Sequence, residues 1–269
     1  MATVHSTAIL GKNVQLDENV VIGPYCVIGD NVSIGAGTIL YNRVVVANGV
    51  RLGRENHLYP NCAVGCCPQV LGLTPESPLG SLVIGDRNMI RENVTIHPSR
   101  HPGTSTMIGS EILFMIGTHV GHDCVVGDKV VLSNYVQIAG HVQIGTGAWF
   151  AGMAGAHQFA TVGRWSFIAG LAGVTHDVPP FLIASGHYPI KVRGVNKRGL
   201  LRAGLSREQQ AHIYDAYKQL YRQGSTLMAN AKELAMQDGL DENVRDMVDS
   251  IFNSYQHRFG RYRESLRTE

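Results

Sequence analysis

Four histidines carry most of the chemical potential of this chain: His119, His122, His141 and His157. An imidazole can take up and release a proton near neutral pH, which few other side chains do. His122 is followed directly by Asp123, whose carboxylate can orient the ring or balance the charge of its protonated form. Gly140 lies three times six positions beyond His122. Glycine lets a ligand approach the backbone, and its N–H can face negative charge that develops during a reaction. A base, an orienting carboxylate and a bare amide would suit activation of a hydroxyl group and stabilisation of an oxyanion. The adjacency of His122 and Asp123 needs a turn, because neighbours in a strand point to opposite faces.

Those residues sit in a repeat of six. One series runs Ala8, Val14, Val20, Cys26, Val32, Thr38, Val44, Val50, Asn56, Cys62, and its companion runs Leu10, Leu16, Ile22, Ile28, Ile34, Leu40, Val46, Leu52, Leu58, Val64. The pattern breaks at 66–81 and again at 97–105, then runs unbroken from Thr106 and Ile108 to Ala172 and Val174. A helix needs a period near 3.6 and a lone strand a period of 2. A period of six fits a short strand followed by a turn, three to a triangular coil, with coils ~4.8 Å apart. The spacing therefore predicts a mainly β fold, a parallel β-helix of the hexapeptide type. Handedness does not follow from spacing. Glycines after the second core position (Gly11, Gly23, Gly29, Gly35, Gly53, Gly65) are expected to supply positive-φ turns.

A coil of three hexapeptides stacks His122 next to Gly140 and puts His141 one position along on the neighbouring coil. None of the four histidines lies on a core phase, so they should project outward or sit at turns. Zinc-binding β-helix proteins resembling gamma-class carbonic anhydrases use two histidines five apart and a third two coils away. Here His119 and His122 are three apart and no histidine lies two full coils from either. Acid–base work and polar substrate recognition are favoured over a metal.

The repeat stops near Val178-Pro179-Pro180, which divides the chain into a β-helix over 1–180 and a connecting segment plus α-helical domain over 181–269. Ser206 with Gln209 forms a capping-box pattern, and helical periodicity follows through about 257. Lys191, Arg193, Lys197, Arg198, Arg202 and Arg207 occupy a stretch without acids, a positive patch suited to a diphosphate or an acidic carrier protein. The formal net charge of only +2 argues against nucleic acid. No apolar run is long enough to span a bilayer, and the N-terminus lacks a signal-peptide pattern, so a cytoplasmic location is expected. Cys26, Cys62 and Cys124 fall on the core phase and no C-x-x-C pair occurs. Buried free thiols are expected rather than a disulfide framework.

The blocks THVGHDCVVGDKVVLSNYVQIAGHVQIG, AGAHQFATVG, DVPPFLIASG and GVNKRGLLRAGLSRE, with IGDRN-x-IRE-x-VTIH at 84–97, closely resemble the acyl-carrier-protein-dependent UDP-N-acetylglucosamine 3-O-acyltransferases. These catalyse the first step of lipid A assembly. The resemblance runs essentially end to end. It implies a left-handed coil and a homotrimer with clefts between neighbouring stacks. Its reaction is acyl transfer from acyl carrier protein to a sugar 3-hydroxyl, with no cofactor beyond the carrier thioester. On this resemblance His122 is the catalytic base, Asp123 its support and Gly140 the oxyanion-hole backbone. His119, His141, His157 and Gln158 line the cleft. Asn196 and Arg202 belong to the nucleotide-binding end, and Gly170 to the position that limits acyl-chain depth. A glycine there suggests a longer chain. The family's Pro-Gln-Asp-x-Lys reads Pro68-Gln69-Val70-Leu71-Gly72 here, and the arginine usual after the Arg202 position is Ala203. The missing charges leave open a changed acceptor or acyl specificity, or a catalytically weak trimeric binding paralogue. The N-acyltransferase of the same pathway carries a uridine-binding domain before the repeat, and a repeat beginning by Ala8 leaves no room for it. Coenzyme A-dependent acetyl transfer would need a narrow acyl site, which Gly170 does not suggest.

Overall fold

Short strands separated by turns can bury two side chains per hexapeptide only if every strand finds backbone partners on the coils before and after it. The computed structural model, which describes residues 1–257 and 259–267, meets this demand. Strands β1 (Thr3–Val4) through β26 (Gly173–Val174) are mostly two residues long and stack into three parallel sheets, the faces of a prism. The face holding β1 is taken as the first, and the chain visits first, second and third in turn.

Partners are three hexapeptides apart along most of the stack, as in Val27↔Val45 and His119↔Gln137. The separation widens at His57↔Met89 and, by less, at Met89↔Leu113, the two places where the sequence pattern breaks. Both interruptions therefore loop out without slipping the register. Both leave from the same edge of the prism, where the chain passes from the second face to the third.

The two series that repeat every sixth position are buried from Val20 onward, whereas Ala8, Val14 and Leu16 are partly covered and Leu10 is exposed where the stack begins. Polar residues on the core phase are satisfied in ladders. Asn56 Oδ1 accepts from the Asn88 N–H at 2.9 Å and Asn88 Oδ1 from the Ile112 N–H at 2.8 Å, while their amide nitrogens donate to the carbonyls of Gly85 and Gly109. Buried amides cost little stability when every hydrogen bond is made.

The turns work differently from the expectation. Gly11, Gly23, Gly29, Gly35 and Gly53 do not take positive φ; of the six, only Gly65 does. The left-handed conformation falls two residues later, on Asn13, Tyr25, Asn31, Gly37 and Glu55. The glycines serve close approach between coils: a Cβ on Gly23 would collide with the Tyr41 carbonyl oxygen, and one on Gly53 would lie 2.6 Å from that of Gly85.

Residues 181–200 are more ordered than a connecting segment. Strand β27 (Leu182–Ser185) continues the first face and β28 (Lys191–Val195) returns antiparallel to it, before α1 (Lys197–Arg202). A hexapeptide period cannot reveal a hairpin, so the sequence pattern stops two strands early. Helices α2 (Arg207–Arg222), α3 (Leu227–Ala235) and α4 (Glu242–Tyr255) follow, and Ser206 and Gln209 form the expected capping box. They close over a second apolar core that includes Phe181, Leu200, Ile213, Leu220, Met247 and Ile251. Arg164, on the coil stack, donates to Asp246 of α4 at 2.7 Å. All five cysteines are free, with Cys26, Cys62 and Cys124 buried, as expected. No described helix is long and apolar enough to cross a membrane.

The close approach gives a testable contrast. Gly23→Ala should destabilise the stack by about 1–3 kcal/mol or more, because the added methyl meets backbone that cannot yield. Gly152→Ala, whose Cβ would find its nearest atom 3.6 Å away, should be near neutral. Urea midpoints of the two variants check this; equal midpoints would contradict it.

Candidate active site

The edge between the second and third faces collects the polar residues singled out in the sequence. The loops 66–80 and 97–104 spring from it on successive coils. His122 and Asp123 turn it on the next coil, Gly140 and His141 on the one after, then His157 and Gln158. His119 leads into it from β17 (His119–Val120).

Asp123 occupies the left-handed turn position, φ 60°. That single backbone conformation lets adjacent side chains meet, and His122 Nδ1 lies 2.7 Å from Asp123 Oδ2. The carboxylate is held from several sides. Ser99 Oγ donates to Oδ1, the Arg100 N–H to Oδ2 at 3.4 Å, and His141 Nε2 stands 3.7 Å from Oδ2. Burial opposes ionisation of Asp123, but the hydrogen bonds from His122 and Ser99 outweigh it and hold its pKa at about 2. With Nδ1–H given to a fixed carboxylate, His122 presents the lone pair of Nε2. That face of the ring meets Gly140: a Cβ there would lie 2.6 Å from His122 Nε2. Both His122 and His141 are buried, 7% and 8% exposed, yet neither belongs to the apolar core of the coils. They are shielded at the edge rather than inside the prism.

The Gly140 N–H meets no side-chain acceptor on the next coil. On the first two coils the amide at this position donates to an Asx side chain one coil on, Lys12 to Asp30 at 2.6 Å and Asp30 to Asn48 at 2.8 Å, whereas the His122 N–H, stacked on Gly140, has no acceptor among the described residues. The partner of Gly140 is Gln158, and among the described residues no acceptor receives its N–H. An amide left without an acceptor beside a base is a ready oxyanion donor.

The surrounding imidazoles are kept neutral. Burial brings His119 down to about 4, reinforced by His97 and His122. Burial also brings His141 down to about 4, against the pull of Asp123 and with help from His122, Arg100 and Arg263. His119 Nδ1 lies 2.9 Å from Thr95 Oγ1, and the His141 ring stacks on Phe159 at 4.5 Å. A groove on the second face runs past His119, Ala139, Gly155, His157 and Gly173 and ends at His187 and Tyr188. Its outward positions shrink from His119 and Gln137 to Gly155 and Gly173, which opens the space.

Three sequence candidates lie elsewhere in the chain. Gly170 turns the edge between the first and second faces, and a Cβ there would have only ordinary contacts, the nearest 3.4 Å away. Asn196 is buried as the N-cap of α1, accepting from the Gly199 N–H and donating to the Trp165 carbonyl. Arg202 lies over Trp149 and Trp165 and donates to the Gly147 carbonyl at 2.5 Å. Both belong with the edge between the third and first faces.

The loop at 97–105 supplies residues that the sequence pattern does not single out. His97 Nδ1 lies 2.8 Å from the Cys66 carbonyl, and its buried Nε2 has no partner among the described residues. Ser99 grips Asp123, and His101, Asp123 and His141 bring ligand atoms within 4.8 Å of one another. A signal for these contacts exists in the chain: once the loop is counted as an insertion, Thr95 stacks on His119 and Ser99 on Asp123. The altered segment at 66–80 holds Val70 half-buried and Gly72 exposed, in turns closed by Val70 N–H to Pro68 O and Leu73 N–H to Val70 O.

The chain is similar to known proteins along nearly its whole length. Residues 177–258 match the model described as UDP-N-acetylglucosamine O-acyltransferase, domain 2, and residues 7–42 the bacterial transferase hexapeptide model. The acyl-[acyl-carrier-protein]–UDP-N-acetylglucosamine O-acyltransferase of Paraburkholderia phymatum is 39% identical over 94% of this chain and 98% of its own length. That of Aliarcobacter butzleri is 36% identical over 94% and 96%. The crystal structure of UDP-N-acetylglucosamine O-acyltransferase from Moraxella catarrhalis superposes with a TM-score of 0.86 at 36% identity, over 93% of this chain and 96% of that one. The Francisella novicida enzyme gives 0.87 at 33% identity, over 94% and 91%. With its fold matched along nearly its whole length, the chain belongs to the acyl-[acyl-carrier-protein]–UDP-N-acetylglucosamine O-acyltransferase family.

Proposed function

We propose that the chain moves an acyl group from acyl carrier protein to the 3-hydroxyl of UDP-N-acetylglucosamine, with His122 as general base. The observation that carries this is the pairing of His122 Nδ1 with Asp123 while the Nε2 side abuts Gly140. In this reading the sugar hydroxyl gives its proton to His122 Nε2 as its oxygen attacks the thioester carbonyl. The carbonyl oxygen gains negative charge and accepts a hydrogen bond donated by the Gly140 N–H. Asp123 stays ionised and balances the imidazolium. Collapse expels the carrier thiolate, which takes the proton back from His122. The glycine-floored groove beside His119 and His157 suits an acyl chain.

The donor arrives already activated as a thioester, so the reaction asks for no resident cofactor or metal. The protein is proposed to act in the cytoplasm as a homotrimer. Gly170, Asn196 and Arg202 stand on edges away from His122, so a site using all of them needs a neighbouring copy's edge. Light scattering at a trimer's mass supports this; a monomer that turns over substrate contradicts it. A changed acceptor is favoured by one observation, the apolar Val70 and bare Gly72 where the family carries an acid and a base. A 3-amino analogue of the UDP-sugar tested beside UDP-N-acetylglucosamine separates the two.

Purified protein with UDP-N-acetylglucosamine and acyl carrier protein thioesters of graded length should yield the ester. His122→Ala should lower kcat on the order of 10²–10⁴-fold, as loss of a general base does, and Asp123→Asn should also lose most activity. Ester formation that survives His122→Ala removes this residue from the mechanism.

The protonation states also predict stability. His119 and His141, near 4 when folded, refuse protons that the unfolded rings accept below ~6.5. Stability from them is therefore lost as pH falls from about 6.5 to 4, each ring costing up to about 2 kcal/mol at pH 5 before solvent screening. Asp177, raised to about 6 by burial, acts in the opposite direction over the same window, one group against four, since burial also lowers His97 and His176. Urea midpoints should be lower at pH 5 than at pH 7; an unchanged or higher midpoint at pH 5 contradicts the account.

A further inference from the structure

The segment after α4 returns to the coil stack and runs along the histidine edge. Its anchor is Asp177, whose N–H donates to the Gly260 carbonyl and whose Oδ2 accepts from the Tyr262 N–H, both at 2.7 Å. Asp177 Oδ1 accepts from the Thr161 N–H at 2.7 Å, tying the anchor to the coil. Arg261 adds a bond from Nη1 to the Thr175 carbonyl at 2.8 Å, and Glu264 accepts from both Arg261 and Arg267 at 2.7 Å. From this pinned turn two cations reach the coil of Gly140 and the next. Arg263 donates from Nε to the His141 carbonyl at 2.9 Å and from Nη1 to Gln143 Oε1 at 3.2 Å. The Arg267 guanidinium lies 5.0 Å over the ring of Phe159, whose other partner is the stacked His141 ring.

His141 is thus gripped at three points. Its N–H donates to the His122 carbonyl at 2.9 Å, its carbonyl takes Arg263, and its ring is backed by Phe159. It sits in the left-handed conformation, φ 62°, immediately after Gly140. The same turn position is left-handed on other coils, at Asn13, Asn31 and Asp123, so the conformation belongs to the coil and the particular hold on His141 comes from its contacts. The His141 N–H belongs to the peptide that follows Gly140, so a grip on the His141 backbone steadies the turn that carries both the Gly140 N–H and the His141 ring.

We propose that residues 260–267 form a strap over the histidine edge and that Arg263 is a positioning residue, acting on Gly140 and His141 through the His141 carbonyl. The inference rests on the acyl-transfer reading for its kinetic consequence, but the structural consequence can be read without turnover. Arg263 contacts no reacting atom in this scheme, so its loss should loosen geometry rather than remove a chemical group.

The experiment compares full-length wild type, Arg263→Ala and Arg263→Lys in two readouts. In the first, histidine ring titration by NMR follows His141. Arg263→Ala should raise its midpoint measurably toward the ordinary ~6.5, as the neighbouring cation and its cover over the edge are lost. An unmoved midpoint overturns the strap, whether or not the protein transfers acyl groups. In the second, kcat should fall roughly tenfold or more in Arg263→Ala with the KM for UDP-N-acetylglucosamine held within about twofold, and Arg263→Lys should recover part of kcat. Thermal melting should stay within a few degrees of wild type. A loss of kcat that tracks lowered thermal stability, or a wild-type kcat in Arg263→Ala, overturns the positioning role. Wild-type protein inactive with every thioester defeats the acyl-transfer reading alone, and the titration still decides the strap.

Discussion

Everything at the site depends on backbone pairing that never slips. A residue on one coil bonds to its counterpart on the next, and the pairing survives two inserted loops of different length. A slip of one position would exchange inward and outward side chains along the stack and bury charged groups. The demand for burial thus fixes the register, and the register brings His122 and Gly140 together from different coils. Glycines at the turns make that closeness possible by letting backbone pass within a methyl's reach of backbone.

The edge is electrostatically asymmetric. One carboxylate, Asp123, is held ionised by hydrogen bonds in spite of burial, while the neighbouring rings of His119 and His141 are kept neutral by it. A single fixed negative charge among neutral imidazoles can stabilise a proton arriving on His122. The inserted loop over 97–104 supplies much of that control through Ser99 and Arg100, so a departure from the repeat carries part of the chemistry.

The prism is legible in the sequence because its period recurs along most of the chain, and two residues per hexapeptide suffice to read it. The neighbours Gly140 and His141 can be assigned to the coil next to His122 from spacing alone. The role of the turn glycines is not, because spacing shows that a small residue recurs but not whether φ or contact demands it. The hairpin after Pro180 and the Ser99 contact escape for a common reason: each lies where the period is broken, and spatial neighbours there follow from loop length and tertiary packing. The grip of Arg263 on His141, far apart in the chain, leaves no trace in any local pattern. The placing of Gly170 and Arg202 on other edges also has no sequence signal short of tracing the full coil.

The most direct test of the central claim, that register sets an imidazole against a bare amide, is the acyl-transfer rate of Gly140→Ala. An added Cβ would lie 2.6 Å from His122 Cε1 and Nε2, so the ring must move off its station while the core stays intact. The account predicts a fall in kcat on the order of 10²-fold or more, the scale of a misplaced general base, with little change in the urea midpoint. A wild-type rate in that variant would contradict it.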